Sequence, residues 1–144
     1  MNQKQVTIVV AVISNEKGEL LLGQRHEPES PEIHGKWEFV GGSINFGEDP
    51  ETAIVREIAE EIGVQVEVVR LLPKIISDQQ TFTSGDQLQV IVLSYECKII
   101  SGEPTPNLEE NIGELQYFAL EEIEKLNAFQ NIHDTVKLLK KITQ

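Results

Sequence analysis

Residues 42–64, GSINFGEDPETAIVREIAEEIGV, decide the fold, because the limits of a helix and the character of its two faces follow from this stretch alone. Pro50 stands in the first turn, where a missing N–H removes no hydrogen bond. Gly63 follows the last apolar residue, where a left-handed cap is expected. At about 100° per residue, the helix has an apolar face and an opposite face of carboxylates. The apolar face holds Val55, Ile58, Ala59 and Ile62, and the acidic face holds Glu57, Glu60 and Glu61.

The acidic face has two interpretations. A run of charges is usually a solvated surface, but carboxylates three and four residues apart repel by about 0.2–0.5 kcal/mol per pair, and no lysine is interleaved here. Three carboxylates on one side, with Glu48 at least one turn upstream, instead supply the hard oxygen ligands that Mg²⁺ and Mn²⁺ prefer. Geometry and charge therefore favour a metal site.

The length and composition are those of one soluble domain. The 144 residues carry a net charge of −12, whereas binding to a nucleic-acid polymer needs basic patches. No apolar run approaches the roughly 20 residues of a membrane span. The N-terminus lacks the apolar segment of a secretory signal, and the single cysteine, Cys97, suits a reducing compartment. We therefore expect a cytoplasmic protein that binds a small molecule; the sequence does not specify its oligomeric state.

Apolar runs and turn residues predict alternating strands and helices without repeats. Strands are predicted at 6–14, 19–25, 37–40, 43–46, 65–72, 74–78, 87–100 and 116–119. Besides the helix within 42–64, a helical turn is predicted at 121–126 and an amphipathic helix at 131–142. Loops are expected at 26–36, 79–85 and 102–113.

The first segment resembles the Nudix box, G-x5-E-x7-R-E-U-x-E-E-x-G-U, in which U is a bulky aliphatic residue. It matches at all nine specified positions: Gly42, Glu48, Arg56, Glu57, Ile58, Glu60, Glu61, Gly63 and Val64. Residues 20–25 and 35–42 are similar to the approach to the box in MutT-like Nudix hydrolases, except that Val40 stands where many members have proline. The resemblance implies an α+β fold, a Nudix-type α/β/α sandwich with a mixed β-sheet, and a single hydrolase domain over residues 1–144.

The resemblance also implies roles for the residues of the box. The carboxylates of Glu57, Glu60 and Glu61 are expected to hold Mg²⁺, for which Mn²⁺ could substitute. The backbone carbonyl of Gly41 is a further ligand, since glycine lets the main chain approach closely. Arg56 is expected to hold a carboxylate of the box, with Glu48 as its natural partner. Gly42, Glu48 and Gly63 are structural within the motif.

The general base is left open by the resemblance. Glu60 is the favoured residue, acting as both base and ligand, and Glu61 is an alternative. In some relatives a carboxylate from a later loop takes this role. Four glutamates are available for it here: Glu103, Glu109, Glu110 and Glu114.

Substrate contacts are expected outside the acidic helix. Arg25 resembles the phosphate-contacting arginine of the family, although a strand-end salt bridge is the alternative; Lys36 is a weaker candidate. Glu38 and Asn131 correspond to base-binding positions, with Asn127 as a substitute for Asn131. An asparagine amide offers both a donor and an acceptor to a base, but asparagine is also a favoured N-cap. Stacking is possible for Trp37, Phe82 and Phe129, and the loop histidines His26 and His34 could line the entrance.

Three functions follow from the resemblance. The first is a Mg²⁺-dependent hydrolase that converts a (deoxy)nucleoside triphosphate, oxidised purines such as 8-oxo-dGTP included, to a monophosphate and pyrophosphate. The second is a Nudix hydrolase of another diphosphate: a nucleotide sugar, ADP-ribose, a dinucleoside polyphosphate or a pterin triphosphate. The third is a non-catalytic nucleotide-binding domain, which the complete set of box carboxylates disfavours.

Overall fold

The computed structural model describes residues 2–143. Within that range, the strands are β1 (Gln3–Ile13), β2 (Leu20–Arg25), β3 (Trp37–Glu38), β4 (Gly41–Ser43), β5 (Gln65–Leu71), β6 (Ile76–Thr81), β7 (Gln87–Ser101) and β8 (Ile112–Phe118). The helices are α1 (Pro50–Ile62), α2 (Leu120–Ile123) and α3 (Gln130–Ile142), and a 3-10 turn covers Leu108–Glu110. None of the helices within residues 2–143 is long and apolar enough to cross a membrane.

Two sheets organise the chain. In the larger one, β1 pairs parallel with β7 and antiparallel with β4. Strands β5 and β6 both pair antiparallel with β7, one after the other along its length. The smaller, antiparallel sheet has the order β3-β2-β8. Parallel and antiparallel pairs thus occur in one sheet, which confirms the predicted mixed sheet.

The side chains of β1 alternate between two cores, because successive residues of a strand point to opposite faces. One core joins the large sheet to α1, and the other joins it to α3. The first contains Val9, Ala11, Ile54 and Ile58, and the second contains Val10, Val12, Ile132 and Val136. The two helices therefore cover opposite faces, and the predicted α+β fold of the Nudix type is confirmed.

The strand predicted at 43–46 is wrong in its position, because β4 is formed by the glycine pair and Ser43. Gly41 and Gly42 pair with Val10 and Val9 of β1. A Cβ atom on Gly41 would lie 2.0 Å from the carbonyl oxygen of Val9. The two chains can approach this closely only because glycine has no side chain, so the pair belongs to the strand and not to a turn.

Three other strands extend beyond their predicted limits, and the first of them, β1, begins at Gln3 and not at residue 6. Strand β6 continues to Thr81, although 79–85 was expected to be a polar turn, because its backbone keeps pairing with β7 as far as Gln87. The turn shrinks to residues 82–86, where the N–H of Phe82 bonds to the carbonyl of Asp86. Strand β8 begins at Ile112, because its pairing with β2 extends to Arg25. In β6 and β8, backbone pairing with the neighbouring strand outweighs polar composition.

Candidate active site

Helix α1 presents its carboxylates in a fixed direction because local hydrogen bonds define both of its ends. Asp49 is the N-cap, and its Oδ2 accepts a hydrogen bond from the N–H of Glu51 at 3.1 Å. Gly63 adopts a φ of 73°, and its N–H bonds to the carbonyl of Ala59 at 3.1 Å. The buried residues of the helix are Ala53, Ile54, Ile58 and Ile62. The acidic face therefore points away from the core, as predicted.

Arg56 organises the carboxylates of the box. Its Nε and Nη2 donate to the two carboxylate oxygens of Glu48 at 2.7 and 2.9 Å. Its Nη1 donates to Glu57 at 3.0 Å and to Glu60 at 3.2 Å, and Nη2 also bonds to the carbonyl of Ser43. The predicted partner of Arg56 is thus observed. Hydrogen bonds from this guanidinium, and from a backbone N–H, lower the pKa of Glu48 to about 2.

The absence of a side chain on Gly42 determines where Glu57 lies. A Cβ atom at this position would be 2.5 Å from Oε2 of Glu57. The carboxylate of Glu57 therefore rests directly against the backbone of β4, while its other oxygen is held by Arg56. The two glycines are thus required for different reasons. A side chain at Gly42 would displace the carboxylate of Glu57, whereas a side chain at Gly41 would clash with the backbone of Val9.

The pKa of the Glu61 carboxyl group is strongly raised by its surroundings. Burial, followed by its contact with Glu57, raises the pKa of Glu61 to about 9. The negative charges of Glu38 and Glu110 act in the same direction. The negative charges of three other carboxylates thus act on Glu61, and a cation would favour its ionised form.

The donor types of this region fit a hard divalent cation, since carboxylates and backbone carbonyls are oxygen ligands. Gly41 and Glu61 line a common cavity, Glu57 lies against Gly42, and Glu60 is outside the lining with 55% of its side chain exposed. Within residues 2–143, no group of three or more His, Cys, Asp or Glu side chains converges closely enough to hold a metal ion. The individual ligands therefore stay predictions.

Two cavities meet at Arg25 and Glu38, and one of them reaches α1. The carboxylate cavity, of about 310 Å³, is lined by Ile8, Val10, Gly23, Arg25, Glu38, Phe39, Val40, Gly41, Gly42, Ser43, Glu61, Glu110, Asn111 and Ile112. The apolar cavity, of about 210 Å³, is lined by Val6, Ile8, Arg25, Ile33, Glu38, Asp78, Gln79, Gln80, Phe82, Leu88, Val90, Phe129 and Asn131. Three residues line both cavities: Ile8, Arg25 and Glu38. The predicted substrate-binding residues are thereby brought to one continuous cleft.

Arg25 and Glu38 form an ion pair at the junction of the two cavities. Nη2 of Arg25 donates to Oε1 of Glu38 at 3.0 Å, and Nε lies 2.9 Å from Oε2. Glu27 lies farther away, with an oxygen 3.6 Å from Nη1. Burial raises the pKa of Glu38, and the charge of Arg25 opposes this shift. The salt bridge considered for Arg25 is therefore present.

Asn131 is not the N-cap of α3, because that position belongs to Phe129. Oδ2 of Asp78 accepts hydrogen bonds from both the backbone N–H and the side-chain Nδ2 of Asn131, each at 3.0 Å. Sequence analysis missed Asp78. The alternation of β6 could have indicated Asp78, because it places this carboxylate on the same face of the strand as the buried Ile76.

The other predicted contacts are distributed over several places. Trp37 is buried and packs edge-to-face against Phe118, with ring centroids 4.9 Å apart. Nζ of Lys36 lies 5.2 Å from the ring centroid of Phe129. His26 and His34 line a separate cleft. Trp37 therefore serves packing, whereas Phe129, together with Phe82, lines the apolar cavity.

Among the four loop glutamates, Glu110 is the one that lines the carboxylate cavity. Glu103 and Glu109 are exposed, as Glu110 is, but line none of these cavities, and Glu114 lines the cleft that contains the two histidines. The sequence could not select Glu110, because the 3-10 turn at Leu108–Glu110 and its contact with α1 depend on tertiary packing. Nδ2 of Asn107, at the start of this turn, lies 3.5 Å from the carbonyl of Glu60.

Comparison with known proteins identifies the family. The NUDIX domain model matches residues 4–139. Nucleoside triphosphatase NudI of Enterobacter sp. (strain 638) is 31% identical over 111 residues, which are 74% of this chain and 77% of that protein. The 8-oxo-dGTP diphosphatase of Escherichia coli (strain K12) is 38% identical over 72 residues, half of this chain. That match spans only 54% of the E. coli enzyme.

The fold comparison agrees. The crystal structure of a MutT protein from Methanosarcina mazei Go1 superimposes with a TM-score of 0.77 at 21% identity, covering 100% of this chain and 99% of that one. Nudix hydrolases generally use a divalent metal ion and act on small nucleotide substrates. The Nudix hydrolase predicted from the sequence is thus confirmed at the level of the family. This chain belongs to the NUDIX domain family.

Proposed function

We propose that residues 1–144 form a single-domain, Mg²⁺-dependent nucleoside triphosphate pyrophosphohydrolase, which releases a monophosphate and pyrophosphate. One observation carries this proposal: the carboxylate cavity and the apolar cavity share the Arg25–Glu38 pair. A nucleotide has the same division, with a flat aromatic base at one end and phosphates at the other. Oxidised purine triphosphates such as 8-oxo-dGTP are the first candidates, because the E. coli relative has that name.

The residues that would hold Mg²⁺ are Glu57, Glu60 and Glu61, together with the carbonyl of Gly41. Glu57 and Glu60 each give one oxygen to Arg56, so their second oxygens are the ones available to an ion. A bound Mg²⁺ would neutralise phosphate charge and lower the pKa of a water molecule. Arg56 and Glu48 position the carboxylates and do not contact the substrate.

Arg25 is the proposed phosphate contact. Its side chain is 27% exposed and lines both cavities, so its guanidinium can be reached from the cleft. An arginine presents several N–H groups in a plane, which suits two phosphate oxygens at once. The pairing with Glu38 fixes the direction of this guanidinium before a substrate binds.

Two glutamates are candidates for the general base. Glu60 is the residue predicted from the sequence, but it does not line the carboxylate cavity and one of its oxygens is bonded to Arg56. Both glutamates are exposed. Glu110 lines the carboxylate cavity, and its charge acts on Glu61. A general base must lie within hydrogen-bond reach of the water that it deprotonates. The position of Glu110 therefore favours it over Glu60.

The apolar cavity is the proposed base site. Its walls are mainly aliphatic and aromatic side chains, with Phe82 and Phe129 available for contact with a base. Asn131 and Glu38 supply polar groups at its edge. This combination of an apolar surface and a few polar groups is typical of sites for small organic ligands.

The experiment is a release assay for pyrophosphate and phosphate with Mg²⁺ at mildly alkaline pH. The panel contains ordinary and oxidised (deoxy)nucleoside triphosphates, ADP-ribose, nucleotide sugars and dinucleoside polyphosphates. We expect pyrophosphate release with a clear kcat/KM preference for one triphosphate, and loss of activity on chelation. The test variant is Glu57→Gln, inside the site. Its matched control is Glu67→Gln, on the exposed face of β5. A strong preference for a non-triphosphate substrate would overturn the proposed substrate, and hydrolysis that survives chelation would overturn the metal dependence.

A further inference from the structure

Asp78 and Asn131 form a paired polar group at the edge of the apolar cavity. They belong to β6 and α3 and are 53 residues apart in the sequence. Oδ2 of Asp78 accepts two hydrogen bonds from Asn131, one from the backbone and one from the side chain, and Oδ1 accepts one from the N–H of Gln79 at 2.9 Å. Both oxygens of this carboxylate are therefore held by defined donors.

This pairing fixes the orientation of the Asn131 amide. A carboxylate can only accept hydrogen bonds, so the amide must turn its NH₂ group toward Asp78. In the opposite orientation, Oδ1 of Asn131 would face another acceptor, which is unfavourable. Within residues 2–143, Oδ1 of Asn131 accepts no hydrogen bond from protein groups, and it is not a buried unpaired atom. Oδ1 is thus the acceptor that remains for a ligand.

The same carboxylate also caps α3. Phe129 is at the N-cap position and has no side-chain acceptor, so the N–H of Asn131 would lack a partner without Asp78. A merely structural explanation of Asp78 would be satisfied by this cap alone. A capping role does not require the second hydrogen bond, which Nδ2 of Asn131 donates to Asp78. That bond determines which end of the Asn131 amide is left for the cavity.

We propose that Asp78 is a positioning residue for substrate specificity, because it orients Asn131 so that its acceptor oxygen faces the base. The inference rests on the proposed function. It specifies the substrate class further: the preferred nucleotide has a base with an N–H donor at the contacting edge, either an exocyclic amino group or a protonated ring nitrogen. A base that presents an acceptor there leaves Oδ1 unpaired and is disfavoured.

The test compares pairs of triphosphates that differ in one donor. The pairs are dGTP and dITP, which differ in the 2-amino group; dATP and its analogue without the 6-amino group; and 8-oxo-dGTP and dGTP, which differ at N7–H and the 8-oxygen. We expect the native protein to prefer the donor-bearing member of at least one pair by about tenfold or more in kcat/KM. Asp78→Ala should bring that ratio close to one, mainly through KM. Asp78→Asn, whose carbonyl can still accept from Asn131, should retain it.

Two further variants separate specificity from stability. Thr135→Val removes the hydrogen bond that Oγ1 of Thr135 donates to the carbonyl of Asn131 at 2.7 Å, so it weakens α3 without altering the cavity. We expect it to lower Tm and leave the ratio unchanged. If Asp78→Ala does not fold, Asp78→Ser replaces it, since a hydroxyl that both donates and accepts does not impose one amide orientation.

The outcomes distinguish the two proposals. No hydrolysis of any triphosphate by the native protein would overturn the proposed function itself. Hydrolysis without preference for a donor-bearing base in any pair would overturn the orientation of Asn131 as the cause of specificity. A ratio that survives in Asp78→Ala, or that is lost equally in Thr135→Val, would overturn the role of Asp78 and leave the hydrolase intact.

Discussion

The two cavities of this cleft are built in different ways. The carboxylate cavity takes its glycine pair and Glu61 from one continuous segment, residues 41–61, while β1, β2, β3 and residues 110–112 complete its walls. The apolar cavity is assembled from β1, β6, β7 and the start of α3, which are far apart in the sequence. The difference suggests that the proposed metal ligands are encoded locally, in residues 41–61. Recognition of the base depends on how distant elements pack.

Removal of the general base should have the largest effect. Glu110→Gln and Glu60→Gln each keep the shape of the side chain and remove its charge. Loss of a general base typically lowers kcat by about 10²–10⁴-fold, and we expect this loss for Glu110→Gln. Steady-state kinetics with saturating Mg²⁺ measures it. A large loss in Glu60→Gln but not in Glu110→Gln would identify Glu60, the residue predicted from the sequence, as the general base. The base and the proposed carboxylate ligands would then all belong to α1.

Substitutions of the two glycines should separate fold from function. In Gly42→Ala, the new Cβ meets the flexible carboxylate of Glu57 at 2.5 Å, so the carboxylate can move away. In Gly41→Ala, the Cβ meets the backbone of Val9 at 2.0 Å, which cannot move without disrupting β1. We therefore expect Gly42→Ala to fold and to lose about 10–100-fold in metal affinity, as when a ligand loses its orientation.

Mg²⁺ titration of activity and thermal melts measure these two effects. Gly41→Ala is the matched control, and it should lower Tm far more than Gly42→Ala. Equal Tm losses in both variants would show that Gly42 acts through the fold and not through Glu57. Unchanged Mg²⁺ dependence in a folded Gly42→Ala would remove Glu57 from the proposed ligands.

Sequence patterns predicted one of the two regions better than the other. The limits of α1 and the Arg56–Glu48 pair followed from spacing, because capping and helical periodicity act over a few residues. The buried face followed only in part, because Val55 and Ala59 are half-buried and Ala53 and Ile54 are buried in their place. The selection of Glu110 and the pairing of Asp78 with Asn131 did not follow, because they depend on contacts between distant elements. The same cause explains why β6 was predicted too short: its length is determined by β7.

Asn131→Ala should change specificity without changing the metal requirement. The backbone N–H of residue 131 can still bond to Asp78, so the cap of α3 is preserved. We expect the ranking among bases to change by up to about tenfold in kcat/KM, since a polar contact to the base is lost. The Mg²⁺ concentration for half-maximal activity should stay constant, because Asn131 does not line the carboxylate cavity. A shift in that concentration would show that the two cavities are coupled.

The smallest expected effect is a pH-dependent one, and it tests whether the carboxylate region is held by charge. The pKa of Glu48 is lowered from 4.5 to about 2 by Arg56 and a backbone N–H. A carboxyl group with a lowered pKa in the folded state stabilises the fold above pH 4.5, and this contribution is lost as the pH falls toward 2. Glu48→Gln should therefore lower Tm at pH 7, and its difference from the native protein should shrink steadily below about pH 4.5. Glu16→Gln, in the exposed turn between β1 and β2, is the matched control and should show no such trend. A Tm difference that stays constant down to pH 3 would mean that Glu48 stabilises the region by hydrogen bonding that its protonated form preserves, and not by its charge.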